Sequence, residues 1–122
     1  KIVSWPIEIK EQSRNMAVEM LKADLAIVSG GYTIWELLYM RVPFLAISLT
    51  DAQRSYLPLL LENGICANLG WHEDLTPDTV HKSVIGLIHD SVLRMEMRNK
   101  AERMMVRDQM GQDLLEILDK GV

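Results

Sequence analysis

The fold is decided by a single stretch, Ser29-Gly30-Gly31-Tyr32-Thr33-Ile34-Trp35-Glu36. The apolar residues 25–28 just before it predict a buried strand, and residues 37–40 beyond it continue at helical spacing. The sequence thus predicts a strand, a glycine turn and a helix start in direct succession. Glycines at such a turn let a ligand approach the backbone, and the first N–H groups of a helix have no partner within it. The turn is therefore a candidate phosphate-binding site.

The same stretch also has a purely structural interpretation. Thr33-x-x-Glu36 fits a capping box, in which two side chains accept hydrogen bonds from N–H groups at the start of a helix. Two glycines at the end of a strand are common in α/β domains, and the stretch lacks the full dinucleotide fingerprint and the P-loop lysine. From the residues alone, a phosphate site and a capped helix are both open.

Composition limits the classes of protein to consider. The 122 residues are enough for one domain with a sizeable core, and 48% apolar with 25% charged residues is ordinary for a soluble globular protein. A net charge of −4 without a basic stripe gives little support to nucleic-acid binding. The apolar runs are too short to span a bilayer. We expect a single domain over residues 1–122, with no nucleic-acid partner and no transmembrane segment.

The cysteine and histidine content predicts neither a disulfide nor a metal site. Cys66, the single cysteine, fits a buried strand residue, and a lone thiol agrees with a reducing cytoplasm, where we expect the protein to act. His72, His81 and His89 are scattered along the chain, so no zinc site and no cofactor are predicted.

The chain alternates strands and helices through its middle. Strands are predicted over residues 2–5, 25–29, 44–48 and 65–69, and helices over 11–22, 32–40, 53–63, 76–89 and from residue 90 or 91 onward. Asn15 is an alternative cap for a shorter first helix that begins at Met16. Residues 63 and 64, Asn-Gly, predict a helix stop, whereas Thr76 and Pro77 predict a helix start.

The last helix carries an apolar face. Its members are Leu93, Met97, Ala101 and Met104. These methionines and Met105 are expected to fill the core or an interface. Gly111 is predicted to interrupt this helix, and residues 113–118 to end the chain as helix.

Alternation of this kind predicts an α/β fold, with a Rossmann-like parallel sheet, helices on both faces and a helical C-terminus. In such folds ligands bind beyond the carboxyl ends of the strands. Three loops, residues 29–33, 49–53 and 69–74, leave strands at that edge. We expect these three loops to meet on one rim.

Several rim residues have suitable chemistry. The Glu36 carboxylate could accept two hydrogen bonds from a ribose diol, or it could cap its helix. Gln53 has donors and an acceptor for sugar hydroxyls or an acetamido group. Arg54 could bind phosphate but fits a surface ion pair better, and Asp51 could cap the helix at Gln53. Residues 71–74, Trp-His-Glu-Asp, fit a polar turn with one packed tryptophan. The residues contain no recognisable catalytic set.

Four stretches carry a resemblance to a known family: residues 15–17 with 23–27, residues 30–36, residues 51–54 and residues 68–76. They resemble the C-terminal domain of nucleotide-sugar enzymes with the two-domain glycosyltransferase-B fold. The branch they resemble most makes spore-coat polysaccharide and pseudaminic acid, and is similar to UDP-sugar hydrolases. It lies near the lipid-II N-acetylglucosaminyltransferases of glycosyltransferase family 28. Residues 68–76 are the most specific to this branch.

The resemblance implies a nucleotide-sugar site. Its residues would be Gly30, Gly31, Tyr32, Thr33, Glu36 and Gln53. Backbone N–H groups of residues 31–33 would bind the diphosphate, Glu36 the ribose hydroxyls, and Gln53 would face the sugar. The turn before Met16 would contact the uracil through backbone atoms. No metal is implied.

The resemblance also implies what this chain lacks. The family's proposed catalytic base, a histidine, lies in an N-terminal domain, and the first strand and loop of the C-terminal domain also have no counterpart here. We therefore expect a fragment of a larger enzyme, inactive alone, whose parent hydrolyses a UDP-sugar or transfers the sugar to an acceptor. A non-catalytic interaction module is the alternative, since Tyr32 crowds the phosphate turn. An open sheet edge could also pair two copies as a homodimer.

Overall fold

The computed structural model describes residues 6–11 and 15–107. The helices are α1 Met16–Lys22, α2 Thr33–Tyr39, α3 Asp51–Glu62, α4 Pro77–Ile88 and α5 Ser91–Arg107, and the strands are β1 Ala26–Ser29, β2 Phe44–Ser48 and β3 Ala67–Trp71. A 3-10 turn spans His72–Asp74. The predicted strand at residues 2–5, the break at Gly111 and the helix at 113–118 lie outside the described residues. Among the described helices, none is both long and apolar enough to cross a membrane.

The three strands form one parallel sheet in the order β1-β2-β3. The α/β class predicted from the sequence is confirmed. The register of β2 against β3 shifts by one residue: Ala46 lies opposite Asn68, whereas Ile47 lies opposite Gly70. Leu69 is therefore an extra residue in β3, a bulge at the carboxyl end of the strand.

Helices cover both faces of the central strand. Phe44 and Ala46 point into a cluster built with residues of α2, α3 and α5. Leu45, between them in sequence, points the other way and packs with Leu69 of β3 and Leu87 of α4. Side chains alternate across a strand, so a strand buried on both faces reads as the continuous apolar run that the sequence displays.

Helix α5 contributes to both clusters. Met97 packs with Leu45 on one side of the sheet, while Ala101 and Met104 join the larger cluster on the other. Three members of the predicted apolar face are buried, but Leu93 is 40% exposed because it precedes the packed part of the helix. Met105 packs against the larger cluster, so the predicted role of the methionines is confirmed.

Most helix ends follow the predicted signals. Helix α1 starts at Met16, the shorter of the two predictions, because the Asn15 side chain accepts a hydrogen bond from the Val18 N–H. The Thr76 hydroxyl accepts from the Thr79 N–H at 3.1 Å, with Pro77 as the first residue of α4.

The helix stop after α3 moves the start of β3. Gly64 has φ +69°, and the N–H groups of Gly64 and Ile65 donate to Leu61 and Leu60. This is a Schellman arrangement. It uses residues 64 and 65 to end the helix, so the strand predicted over 65–69 runs over Ala67–Trp71 instead. Cys66 is buried, as predicted, but precedes the strand.

Candidate functional site

The turn after β1 and the start of α3 lie against each other at the carboxyl edge of the sheet. The Gly30 N–H donates to the Ile47 carbonyl at 2.9 Å, which ties the turn to β2. A Cβ on Gly30 would lie 3.0 Å from Leu57 Cδ1 and 3.1 Å from Gln53 Cβ and Cγ. A residue with a Cβ at this position would therefore crowd α3. The structure brings two of the predicted site residues, Gly30 and Gln53, into contact.

The remaining residues of the turn face open space. A Cβ on Gly31 would meet no atom within 4 Å, and the Tyr32 side chain is 68% exposed. The backbone N–H groups of Gly31, Tyr32 and Thr33 donate to no acceptor within residues 6–11 and 15–107. Consecutive free donors beside an open glycine are what the predicted diphosphate contact needs.

The capping box at Thr33 and Glu36, one of the two interpretations left open by the sequence, is wrong. The cap position of α2 is Tyr32, with φ −62° and ψ −25°, and no side chain caps the helix. A capping residue needs an extended backbone, but here the chain is already helical at Tyr32, whose carbonyl accepts from Trp35 N–H at 3.1 Å. The Glu36 side chain is exposed and makes no hydrogen bond or ion pair with any described residue. Its carboxylate is free to accept from a ligand.

A capped start is found at α3 instead. Thr50 has an extended backbone, its hydroxyl accepts from the Gln53 N–H at 3.3 Å, and Gln53 Oε1 accepts from the Leu49 N–H at 2.7 Å. The helix therefore begins at Asp51, and the prediction that Asp51 caps a helix at Gln53 is wrong. Thr50-x-x-Gln53 has the spacing of a capping box, so the sequence contained this signal.

The cap changes what Gln53 can offer to a ligand. Its carbonyl oxygen is occupied by the Leu49 N–H. No buried side-chain nitrogen or oxygen in the described part of the chain lacks a partner. Since Nε2 has no partner there, that atom reaches solvent. Gln53 is therefore oriented to donate, to a hydroxyl or acetamido oxygen, rather than to accept.

The end of β3 contacts the start of α3. The Arg54 guanidinium carbon lies 4.1 Å from the centre of the Trp71 ring, and Arg54 Nη1 lies 3.8 Å from Asp51 Oδ1. The predicted surface ion pair exists, but the cation–π contact was missed. Trp71 is half-buried, and its ring centre lies 4.6 Å from that of His72. Sequence spacing alone does not reveal this contact, because the position of Trp71 depends on the register shift between β2 and β3.

No group of three or more histidine, cysteine or acidic side chains suited to a metal ion occurs in residues 6–11 and 15–107. Cys66 is a buried thiol, and its burial raises its pKa to about 11. Burial thus favours the protonated thiol and lowers its reactivity.

Comparison with known proteins finds a distant relative. The chain is 29% identical over 87 residues to the spore coat polysaccharide biosynthesis protein SpsG of Bacillus subtilis (strain 168). The match covers 71% of this chain and 26% of the relative, so the chain corresponds to about a quarter of that protein. No protein family matches the chain, and no solved structure matches it. The two-domain glycosyltransferase-B fold stays a prediction.

Proposed function

We propose that this chain is the nucleotide-binding part of an enzyme that hydrolyses a UDP-sugar in polysaccharide or nonulosonic-acid biosynthesis. The observation that carries the proposal is the turn of residues 31–33, whose N–H groups are free of acceptors within the described ranges and which adjoins Gln53 through Gly30. The relation to a spore coat polysaccharide biosynthesis protein supports the choice of pathway class. We place the enzyme in the cytoplasm, in agreement with its single buried thiol.

In the proposed complex, different residues of the site bind different parts of the nucleotide-sugar. The N–H groups of residues 31–33 hold the diphosphate, and the positive end of the α2 dipole favours its charge. The free Glu36 carboxylate accepts from both ribose hydroxyls. Gln53 Nε2 donates to an oxygen of the sugar. Water then attacks the sugar and UDP leaves, with the catalytic base supplied by a domain outside this sequence.

Binding of UDP to the full chain tests the nucleotide half of the proposal. We expect amide NMR shifts on UDP addition to cluster at residues 30–33. Glu36→Ala removes hydrogen bonds to a charged group, each worth about 1.5–3 kcal/mol, so UDP should bind at least about tenfold more weakly. Glu96→Ala is the matched control, because Glu96 is also an exposed glutamate, on α5. The control should bind like the wild type.

Three results would contradict the proposal. Equal UDP affinity in the wild type and Glu36→Ala would remove Glu36 from the site and favour a non-catalytic interaction module. Absence of UDP release from UDP-sugars by the intact parent enzyme, with or without acceptors, would reject the activity. Release only in the presence of an acceptor would identify a transferase rather than a hydrolase.

A further inference from the structure

A bulge shapes the end of β3. Leu69 is the extra residue, and Gly70 has φ +97°, a conformation that residues with a Cβ rarely adopt. The Gly70 N–H donates to Asn68 Oδ1 at 2.8 Å, so the bulge is closed by a local hydrogen bond. Bulges of this kind turn the following side chain in a new direction. Here the following side chain is Trp71.

The Trp71 ring contacts a charged side chain from the first turn of α3. The Arg54 guanidinium lies over its ring at 4.1 Å. The Asp51 carboxylate, three residues earlier in the same turn, lies 3.8 Å from Arg54 Nη1. We call Asp51, Arg54 and Trp71 together the strap, because they join the start of α3 to the end of β3.

Stacking, rather than the ion pair, holds the strap. The Asp51 side chain is 95% exposed, and an ion pair in water contributes little. The planar guanidinium can lie flat on the indole, whereas the ammonium of lysine cannot match that geometry. Trp71 is half-buried and is the last residue of β3, so its backbone belongs to the sheet.

Gln53 lies in the helical turn that the strap holds. Its neighbours Asp51 and Arg54 are both strap residues, and its own carbonyl oxygen accepts from the Leu49 N–H at 2.7 Å. Movement of this turn away from β3 would carry Gln53 with it and weaken the hydrogen bond to Leu49. The direction of the Gln53 Nε2 donors therefore depends on the strap.

We propose that Arg54 and Trp71 are positioning residues, which fix the first turn of α3 so that Gln53 donates to the sugar half of a nucleotide-sugar. The identity of the ligand in this inference rests on the proposed function, whereas the contacts of the strap lie within the chain and do not depend on it. In this proposal Arg54 acts on Trp71 rather than on the ligand, with its guanidinium over the indole ring. The strap thus affects discrimination between UDP and a UDP-sugar more than affinity for UDP.

The test combines a readout within the chain and a readout on ligands. In the full chain, Arg54→Ala should speed hydrogen exchange of the Leu49 amide at least about tenfold, with global unfolding little changed. Trp71→Phe keeps an aromatic face and should stay near the wild type, whereas Arg54→Lys should resemble Arg54→Ala. Arg103→Ala, at an exposed position of α5, is the control and should change nothing. The preference for UDP-N-acetylglucosamine over UDP should fall at least about fivefold in Arg54→Ala, while UDP affinity is retained.

The outcomes separate this inference from the proposed function. Unchanged exchange of the Leu49 amide in Arg54→Ala would overturn the strap, whatever ligands do. Faster exchange with an unchanged preference for the sugar nucleotide would overturn the positioning role. If the wild-type chain and the intact parent both bind neither UDP nor UDP-N-acetylglucosamine, the proposed function fails, and the positioning role fails with it, although Leu49 still responds.

Discussion

At Gly30, a Cβ would be crowded by side chains of α3. The space that a Cβ would need is taken by Leu57 and Gln53 at 3.0–3.1 Å. One residue later, a Cβ on Gly31 would have no neighbour within 4 Å. The two adjacent glycines therefore have different surroundings: Gly30 is packed against α3, whereas the position of Gly31 is open.

This difference predicts opposite behaviour of two alanine variants. Gly30→Ala overpacks the contact with α3 and should lower the free energy of unfolding by about 1–3 kcal/mol. Gly31→Ala should change it by less than about 0.5 kcal/mol yet weaken UDP binding, because a methyl group enters the proposed phosphate contact. Urea unfolding and UDP titration of both variants check this. Equal destabilisation by the two substitutions would contradict the division.

At the scale of single helices, the start of α3 depends on Thr50. Its hydroxyl satisfies the Gln53 N–H, and loss of such a cap costs about 1 kcal/mol. Thr50→Ala should therefore lower the free energy of unfolding by about that amount. Thr33→Ala is the matched control, because Thr33 caps nothing in α2, and its effect should stay below about 0.5 kcal/mol. Thermal or urea unfolding measures both; a larger loss at Thr33 would restore the capping box.

How far the sequence predicts these elements depends on how local their causes are. The β2 bounds, Phe44–Ser48, match the prediction because a continuous apolar run marks a strand covered on both faces. The start of β3 was missed because the Schellman turn at Gly64 and Ile65 extends beyond the glycine that signals it. The spacing of a capping box occurs at both Thr33 and Thr50, and only the backbone conformation shows that Thr50 is the cap.

In the candidate site, too, some features could be predicted from the sequence and others could not. Convergence of the turn at Gly30 with Gln53 follows from parallel strands ending at one edge, and was predictable. The orientation of Gln53 was not, since it depends on the hydrogen bond to Leu49. The contact between Arg54 and Trp71 depends on a bulge whose register is set by pairing across strands.

At the scale of the whole molecule, Cys66 makes the free energy of unfolding depend on pH in the alkaline range. Burial raises its pKa from 9.0 to about 11, so between these values the folded state retains a proton that the unfolded state has lost. Stability from this group is complete below pH 9 and falls as pH rises toward 11, by up to about 3 kcal/mol. Burial also raises the pKa of Tyr56. Because Tyr56 is present in both the wild type and Cys66→Ala, its effect on stability cancels when the two proteins are compared. Parallel urea-midpoint curves for the two proteins from pH 8 to 11 would contradict this.

Helix α5 is the last described element that the ribosome makes, and it contributes side chains to the clusters on both sides of the sheet. Until Met97, Ala101 and Met104 have been added, neither side of the sheet is covered by its full set of apolar partners. A nascent chain that ends before α5 therefore exposes apolar surface on two faces at once and is prone to aggregate. Stable packing of the described sheet therefore depends on α5, although the residues of the candidate site precede this helix in the sequence.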